Sequence, residues 1–278
     1  MKLTLGFSPC PNDTFIFDAM VHGRINTEGL EFDFFLGDVE DLNRRAISSG
    51  ADILKISTHV YALVAGNYLI LDSGSALGFG NGPLIVSREK KLPAGKKDLR
   101  IAIPGKHTTA NLLLSIFRPD ITDKPEYLFS DIPGVILRGE ADGGLIIHET
   151  RFTYRSYGLY KICDLGMMWE DLTGLPVPLG SIVINRRIPY NIALKVNNII
   201  RRSITYALDN YSGSSEFVTS HARETESSVI NSHIKLFVNE FTLNLGDQGR
   251  RAVSELFRRA NEKGALPAVT EKIFLATI

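Results

Sequence analysis

Short apolar runs alternate with segments of helical period along the first part of this chain. Apolar runs lie at residues 2–7, 31–37 and 51–57, and the segments between them, 13–23 and 39–50, have helical spacing of their apolar residues. This alternation is typical of a mostly parallel sheet covered by helices. It predicts an α/β fold and restricts ligand sites to the loops that follow the strands, at the carboxyl edge of the sheet.

The alternation is interrupted once and then starts again. Residues 89–99, EKKLPAGKKDL, are rich in charge, Pro and Gly, and a second α/β unit follows with strands predicted at 100–105, 125–131 and 141–149. Long amphipathic helices dominate the last third of the chain. We therefore predict two lobes, the first built from residues 1–87 and 181–278 and the second from 88–180, with a ligand cleft between them.

The charge balance narrows the classes of ligand. Thirty-one Lys and Arg residues oppose thirty-one Asp and Glu residues, so no net field attracts nucleic acid or an anionic membrane, and a small molecule must be recognised locally. The N-terminal apolar stretch is too short for a secretory signal, which predicts a cytoplasmic protein if Met1 is the true start. Two unpaired cysteines and six scattered histidines predict no disulfide and no metal site.

His148 is the sharpest catalytic candidate. It follows the apolar run Leu145–Ile147 and is therefore expected at the end of a strand. Imidazole has an ordinary pKa near 6.5, which suits proton transfer near neutral pH. The alternative is a structural histidine held by a neighbouring carbonyl group.

Two further strand ends carry candidate binding residues. Lys55, Ile56 and Ser57 end the third predicted strand, where the lysine offers a cation for an acidic substrate or lies at a surface edge. Thr108 and Thr109 begin a helix after a Pro-Gly turn. One hydroxyl is expected to cap that helix, and the other, with the free amides, is suited to a carboxylate.

The loop SPCPND after the first strand, residues 8–13, contributes Asn12 and Asp13 as possible pocket residues, and Arg151 and Asn239 are added from their expected proximity to the cleft. Asn12 or Asp13 is also expected to cap the first helix. Cys10 lies near a helix N-terminus, which lowers thiol pKa values, yet a cysteine between two prolines is more often buried. We interpret it as a packing residue or part of the pocket wall.

Five separated motifs carry a family resemblance. SPCPNDTFIF, DILKIS, GFGNGPLIVS, PGKHTTANLLL and GLIIHETRFTY occur in the order and at the intervals of the 1,4-dihydroxy-6-naphthoate synthase family of menaquinone biosynthesis, and the resemblance runs from Leu5 to at least Leu266. It implies a two-lobed fold like that of the type II periplasmic binding proteins, without their export signal. It also implies a lyase that needs no cofactor and cleaves cyclic dehypoxanthinyl futalosine to 1,4-dihydroxy-6-naphthoate.

The resemblance also implies roles for individual residues. His148 stands where the family has its proton acceptor, and the substrate contacts of the two lobes correspond to Lys55, Ile56 and Ser57 and to Thr108 and Thr109. Two alternatives are a cytoplasmic protein that binds a small acid without chemistry, and a chorismate-type or arogenate dehydratase of similar fold. The oligomeric state is left open.

Overall fold

The computed structural model describes residues 1–93, 98–211, 215–223 and 226–275. In that part of the chain the strands are β1 Lys2–Phe7, β2 Glu31–Leu36, β3 Ile53–Ser57, β4 Tyr68–Ile70, β5 Ala76–Gly78, β6 Leu84–Ser87, β7 Ile101–Ala102, β8 Gly143–Ile146, β9 Tyr160–Asp164 and β10 Val177–Asn185. The helices are α1 Pro11–Val21, α2 Val39–Ile47, α3 Thr58–Val64, α4 Thr109–Phe117, α5 Ile132–Leu137, α6 Thr150–Thr153, α7 Leu165–Thr173, α8 Tyr190–Asp209, α9 Ser215–His221, α10 Ser227–Phe237, α11 Glu240–Leu243 and α12 Gly246–Glu262.

The first sheet has the strand order β2-β1-β3-β10-β4, and β5 also pairs with β10. β1 is parallel to β2 and β3, whereas β10 is antiparallel to β3, β4 and β5. The carboxyl ends of β1 and β3 therefore lie side by side. They bring the loop at residues 8–13 next to the end of β3, where the site begins.

The second sheet has the order β7-β8-β6-β9. β6 is antiparallel to both β8 and β9, and β7 is parallel to β8. Thus β8 delivers His148 at its carboxyl end, two residues after Ile146.

The chain changes sheets earlier than the sequence pattern predicts. Residues 84–87, assigned from the sequence to the first lobe, form β6 in the second sheet, and β10 begins at Val177 in the first sheet rather than after residue 180. The crossing lies in the glycine-rich turn between β5 and β6. The change in composition at 89–99, from which the sequence pattern predicts the boundary, comes after this crossing in the chain.

Other local predictions need correction. Residues 125–131 do not form a strand: Pro125 and Tyr127 make backbone hydrogen bonds with Ile103, and the segment then turns as a 3-10 helix at Phe129–Asp131. The segment at 68–78 forms two strands, β4 and β5, and Gly74, with φ 93°, lies in the turn between them. β9 and α7 are two further elements that the sequence pattern does not predict, although Asp164 caps α7 and Gly174 ends it.

Helix α1 is buried along nearly its whole length, at ten of its eleven residues, because α8, α9 and α10 pack around it. Pro11 is its first residue and Cys10 precedes it with extended backbone, so neither Asn12 nor Asp13 caps the helix. This burial turns the side chains of its first turn into the protein instead of toward water. Among the described residues, no helix has both the length and the apolar character that a membrane span requires.

Candidate active site

A cleft between the two sheets contains about 760 Å³ of space free of protein atoms, its open mouth included. Small molecules bind preferentially in clefts of this kind, between two lobes. Nine of the ten residues predicted from sequence line it, and Asn239 does not. The nine are Asn12, Asp13, Lys55, Ile56, Ser57, Thr108, Thr109, His148 and Arg151.

The Asp13 carboxylate is the centre of the first-lobe wall. Its Oδ2 accepts hydrogen bonds from the backbone N–H of Ser8 at 3.2 Å and from the Ser8 hydroxyl at 2.7 Å. Its Oδ1 accepts one from Asn12 at 2.8 Å and lies 3.2 Å from the Lys55 ammonium. All four residues are buried, so the carboxylate is fixed from every side.

Lys55 projects from β3 into this network. Its Nζ donates to the carbonyl oxygen of Gly74 at 2.7 Å in addition to the ion pair with Asp13. Lys55 therefore lines the cleft, but Asp13 balances its charge. A bound acid would meet a neutral ion pair here instead of an uncompensated cation.

Ser57, the last residue of β3, is held by a side chain that the sequence pattern does not single out. Asn43 of α2 accepts from the Ser57 N–H at 2.9 Å and donates to its hydroxyl at 3.0 Å. Asn43 is fully buried. One sequence signal points to Asn43. Its side chain is polar, yet it stands beside Leu42 on the apolar face of an amphipathic helix.

The start of α4 forms the facing wall. The Thr108 hydroxyl accepts from the N–H of Asn111 at 3.3 Å and donates to Gly105, so it is the helix cap. The Thr109 hydroxyl donates to the carbonyl oxygen of Leu179 in β10 at 2.7 Å and accepts from the N–H of His59. Both hydroxyls bond to the protein. Backbone N–H groups in the first turn of the helix remain the feature suited to an anion.

His148 lies in the same wall with a left-handed backbone, at φ 54°. Such a conformation is uncommon for a residue with a side chain and is found more often at functional positions. Its ring packs against Phe129, with the centroids 4.8 Å apart, and lies parallel to the ring of buried His233 at 6.2 Å.

Burial lowers the pKa of His148 to about 4, and the nearby Asp13 carboxylate offsets part of this shift. The imidazole is therefore neutral near pH 7 and holds a lone pair for a proton.

Cys10 lies between the two walls. Its Sγ is 3.5 Å from Nδ1 of His148, and burial raises the pKa of its thiol well above the usual range. A protonated thiol is a poor nucleophile, and Cys10 is not among the residues that line the cleft, which supports its interpretation as a packing residue. Donor atoms of Cys10, His148 and Glu149 come within 4.8 Å of one another. That spread exceeds the roughly 3.5 Å between neighbouring ligands of one zinc ion, so the three do not form a metal site as they stand.

Arg151 and Asn239 have structural contacts. The Arg151 guanidinium donates to the carbonyl oxygens of Gly80, at 2.7 Å, and Gly82, and it pairs with Asp164 at 3.0 Å. It thus binds the crossing turn to the second lobe while one side lines the cleft. Asn239 caps α11 and donates to the carbonyl oxygen of Leu77, which places it outside the cleft lining and corrects the prediction made from proximity.

Comparison with known proteins gives concordant matches. A family model described as menaquinone biosynthesis matches residues 3–262. A protein of Thermus thermophilus named 1,4-dihydroxy-6-naphthoate synthase is 42% identical over 273 residues, covering 98% of this chain and 99% of its own. A protein of the same name from Streptomyces coelicolor is 38% identical over 273 residues, covering 96% and 95%.

The fold has more distant structural relatives. A Candida albicans protein described as having the generic periplasmic binding protein fold superposes with a TM-score of 0.69 at 11% identity, covering all of this chain and 98% of that one. At that identity the likeness concerns the fold alone. It confirms the predicted two-lobed α/β architecture with a ligand cleft.

Proposed function

This chain belongs to the menaquinone biosynthesis family and is an enzyme of that process, and from this premise we propose that it is a carbon–carbon lyase that converts cyclic dehypoxanthinyl futalosine to 1,4-dihydroxy-6-naphthoate, with His148 as its general base. The observation that carries the proposal is a neutral imidazole at a strained strand end in the cleft wall. His148 is the one imidazole in the cleft lining, and its neutral ring has a lone pair that can accept a proton.

The chemistry assigned to His148 is one proton transfer. The imidazole removes a hydroxyl proton from the sugar-derived part of the substrate, and the electron pair left on that oxygen forms a carbonyl group as the adjacent carbon–carbon bond breaks. The electrons of the broken bond pass to the bicyclic ring, which takes up a proton from solvent, and the imidazolium returns its proton to solvent. The sugar-derived fragment departs as the carbonyl compound, and the ring becomes aromatic, which supplies much of the driving force. A positioned general base of this kind typically accelerates a reaction by about 10²- to 10⁴-fold.

Substrate orientation is assigned to the two walls. The first turn of α4, at Thr109 and Ala110, presents N–H groups at the positive end of the helix dipole and lines the cleft, which suits the naphthoate carboxylate. The apolar cleft residues Ile56 and Leu179 offer surface to the planar rings. Ser57, fixed by Asn43, is placed to contact a substrate hydroxyl or carbonyl group.

Incubation of the purified protein with cyclic dehypoxanthinyl futalosine tests the proposal directly. Wild-type protein is expected to release a naphthoate chromophore that absorbance and mass spectrometry identify. His148→Gln is expected to lower kcat by at least about 10²-fold, with an unchanged circular dichroism spectrum and melting temperature. Full turnover by a folded His148→Gln protein would remove the base from the mechanism.

Two other results would replace the proposed activity. Tight binding of the substrate or a small acid without any product would indicate a binding protein that uses the same cleft. Turnover of prephenate-like or chorismate-like acids, with no reaction of the futalosine derivative, would indicate a dehydratase. Each result is read by the same mass-spectrometric assay with a different substrate.

A further inference from the structure

We propose that Asn12 is a catalytic residue whose side-chain N–H donates to the substrate oxygen from which His148 removes the proton, and that His233 is the positioning residue that orients the Asn12 amide. This inference rests on the proposed function, because it concerns the same reaction step. It gives a role to a fully buried histidine that the sequence pattern does not single out.

The orientation of the Asn12 amide follows from the carboxylate beside it. Asn12 Nδ2 lies 2.8 Å from Oδ1 of Asp13, and the Lys55 ammonium pairs with that same oxygen at 3.2 Å. A carboxylate in an ion pair only accepts hydrogen bonds, so the amide atom that faces it must be the nitrogen. The amide oxygen therefore faces the other way, toward His233.

The same reasoning fixes the proton of His233. Its Nε2 lies 2.8 Å from Oδ1 of Asn12, and an amide oxygen has no proton to donate, so Nε2 must be the donor. Burial lowers the pKa of His233 well below its ordinary value, so the ring is neutral and its single proton is on Nε2. Each direction in the series Asp13–Asn12–His233 thus follows from which groups can donate and which can only accept.

The other ring nitrogen of His233 indicates what the imidazole is for. Nδ1 is buried and has no hydrogen-bond partner among the residues that the structure describes. An unpaired buried polar atom is unfavourable, and an aliphatic side chain at this position of α10 would avoid it. Because the bond from Nε2 to Asn12 is the hydrogen bond that the ring does make, we assign the imidazole to the orientation of Asn12 and not to the packing of α10.

The Asn12 side chain lies beside both the cleft and the base. Asn12 lines the cleft, and the His233 ring to which it is bonded lies parallel to the ring of His148, with the centroids 6.2 Å apart. Cys10, two positions before Asn12 in the chain, has its sulfur 3.5 Å from Nδ1 of His148. Asn12 and His148 therefore border the same part of the cleft, although they belong to different lobes.

One N–H of the Asn12 amide is left for a ligand. The nitrogen has two, one of them donates to Asp13, and the second has no acceptor among the described residues. In the proposed reaction, negative charge develops on the substrate oxygen as His148 takes its proton, before that oxygen becomes a carbonyl group. A donor held in a fixed direction stabilises such charge, and one donor of this kind contributes about 10²- to 10³-fold to kcat. Asn12 itself neither gains nor loses a proton.

The test combines kinetics with NMR. Asn12→Ala removes the donor, His233→Leu removes its support, and His233→Gln replaces the imidazole with an amide that can still donate. His221→Leu is the matched control, because His221 bonds within its own helix α9 and does not line the cleft. Steady-state kinetics with cyclic dehypoxanthinyl futalosine gives kcat and KM, and the ¹⁵N shifts of labelled histidine report the tautomer of His233. Melting temperatures set an assay temperature at which each variant is folded.

The wild type is expected to have the His233 proton on Nε2. Asn12→Ala should lower kcat by about 10²-fold with KM within about 3-fold, because the lost hydrogen bond strengthens only as charge develops. His233→Leu should lower kcat by about 10-fold, and His233→Gln should recover most of that loss. The double variant Asn12→Ala/His233→Leu should have the kcat of Asn12→Ala alone, because His233 acts through Asn12. His221→Leu should match the wild type.

A proton on Nδ1 of His233 in the wild type would overturn the proposal, and so would losses of kcat that multiply in the double variant, since His233 would then act through packing. If His233→Leu does not fold, the wild-type tautomer and the kcat values of Asn12→Ala and His233→Gln decide. Full turnover by a folded Asn12→Ala protein would overturn the role of Asn12 and leave the proposed function standing. Absence of turnover by the wild type would overturn the proposed function itself.

Discussion

The two walls of the cleft are held in place by different means. On the first-lobe side, Asp13, Lys55 and Ser57 are fixed by side-chain hydrogen bonds and a buried ion pair. On the second-lobe side, His148 and the start of α4 are placed by backbone features, a positive φ angle and a helix cap. One wall therefore has its strong charges neutralised internally, and the other presents an uncharged imidazole.

Because the two walls are held in different ways, mutations in them should have different effects. Burying charges is favourable only when they are paired and fully hydrogen-bonded, and the first-lobe wall meets that condition. A neutral imidazole has no such requirement, so its wall can stay open to a ligand. Changes in the first wall should appear first in folding stability, and changes in the second wall in turnover.

Breaking the ion pair of the first wall is expected to have the largest effect on stability. Lys55→Met leaves the buried Asp13 carboxylate without its cation and should reduce the free energy of unfolding by about 3–5 kcal/mol. Urea denaturation followed by circular dichroism measures it.

The double variant Lys55→Met/Asp13→Asn is the matched control for this pair. It removes both charges and should be clearly more stable than Lys55→Met alone. Equal stability of the two variants would show that the pair does not hold the wall.

The contact of His59, in α3, with Thr108 at the start of α4 should weaken in acid. Its Nδ1 lies 3.0 Å from the carbonyl oxygen of Thr108, and burial lowers its pKa from 6.5 to about 4. The folded protein holds the neutral ring while the unfolded chain takes up a proton below pH 6.5. The contribution of His59 to the free energy of unfolding is therefore fully present above pH 6.5, and it declines by about 3 kcal/mol as the pH falls toward 4.

Denaturation at pH 7 and at pH 4.5 measures this dependence. His59→Asn, which cannot take up the proton, should lose less stability between the two pH values than the wild type does. His148 and His233 also have lowered pKa values and will leave part of the dependence in place. An identical loss in the variant would contradict the assignment to His59.

The cap of the second wall should have a smaller effect. Thr108→Ala removes the acceptor for the Asn111 N–H and should reduce stability by about 1 kcal/mol, with a rise in KM because the first turn of α4 loosens. Thr108→Ser keeps the hydroxyl and should behave like the wild type. A rise in KM of equal size in both variants would point to the lost methyl group instead.

A salt bridge far from both walls provides the baseline. Arg258 pairs with Glu255 and Glu262 on the exposed side of α12. Arg258→Ala should leave the stability, kcat and KM close to those of the wild type, because exposed ion pairs are screened by water and salt. A loss comparable with that of Lys55→Met would remove the distinction between buried and exposed charges in this protein.

Much of the site follows from where strands end. The apolar run before His148 and the hydrophobic strand before Ser57 place both residues at a sheet edge, and nine of ten named positions line the cleft. Expected proximity to the cleft is the one sequence argument for Asn239, and in the structure this residue caps α11 instead. Helix caps and pocket residues are often the same polar amino acids, so the sequence pattern does not distinguish the two roles.

Contacts between distant segments were beyond the sequence pattern. Cys10 meets His148 across 138 positions, and Asn43 meets Ser57 only because α2 packs on β3. The sequence pattern does not predict the change of sheet before β6, for a related reason. An apolar strand carries no mark of which sheet it joins, since pairing partners are chosen in three dimensions.

The hydrogen bonds between Arg151 and the crossing turn determine how this cleft can open. Its guanidinium holds the carbonyl groups of Gly80 and Gly82, and Glu170 of α7 accepts from the N–H of Gly80 at 2.7 Å. The turn therefore travels with the second lobe, and any opening must pivot on the first-lobe side of Gly80. His148, three residues before Arg151, belongs to that lobe, so opening of the cleft would carry its imidazole away from Cys10 and closure would bring the two side chains together again.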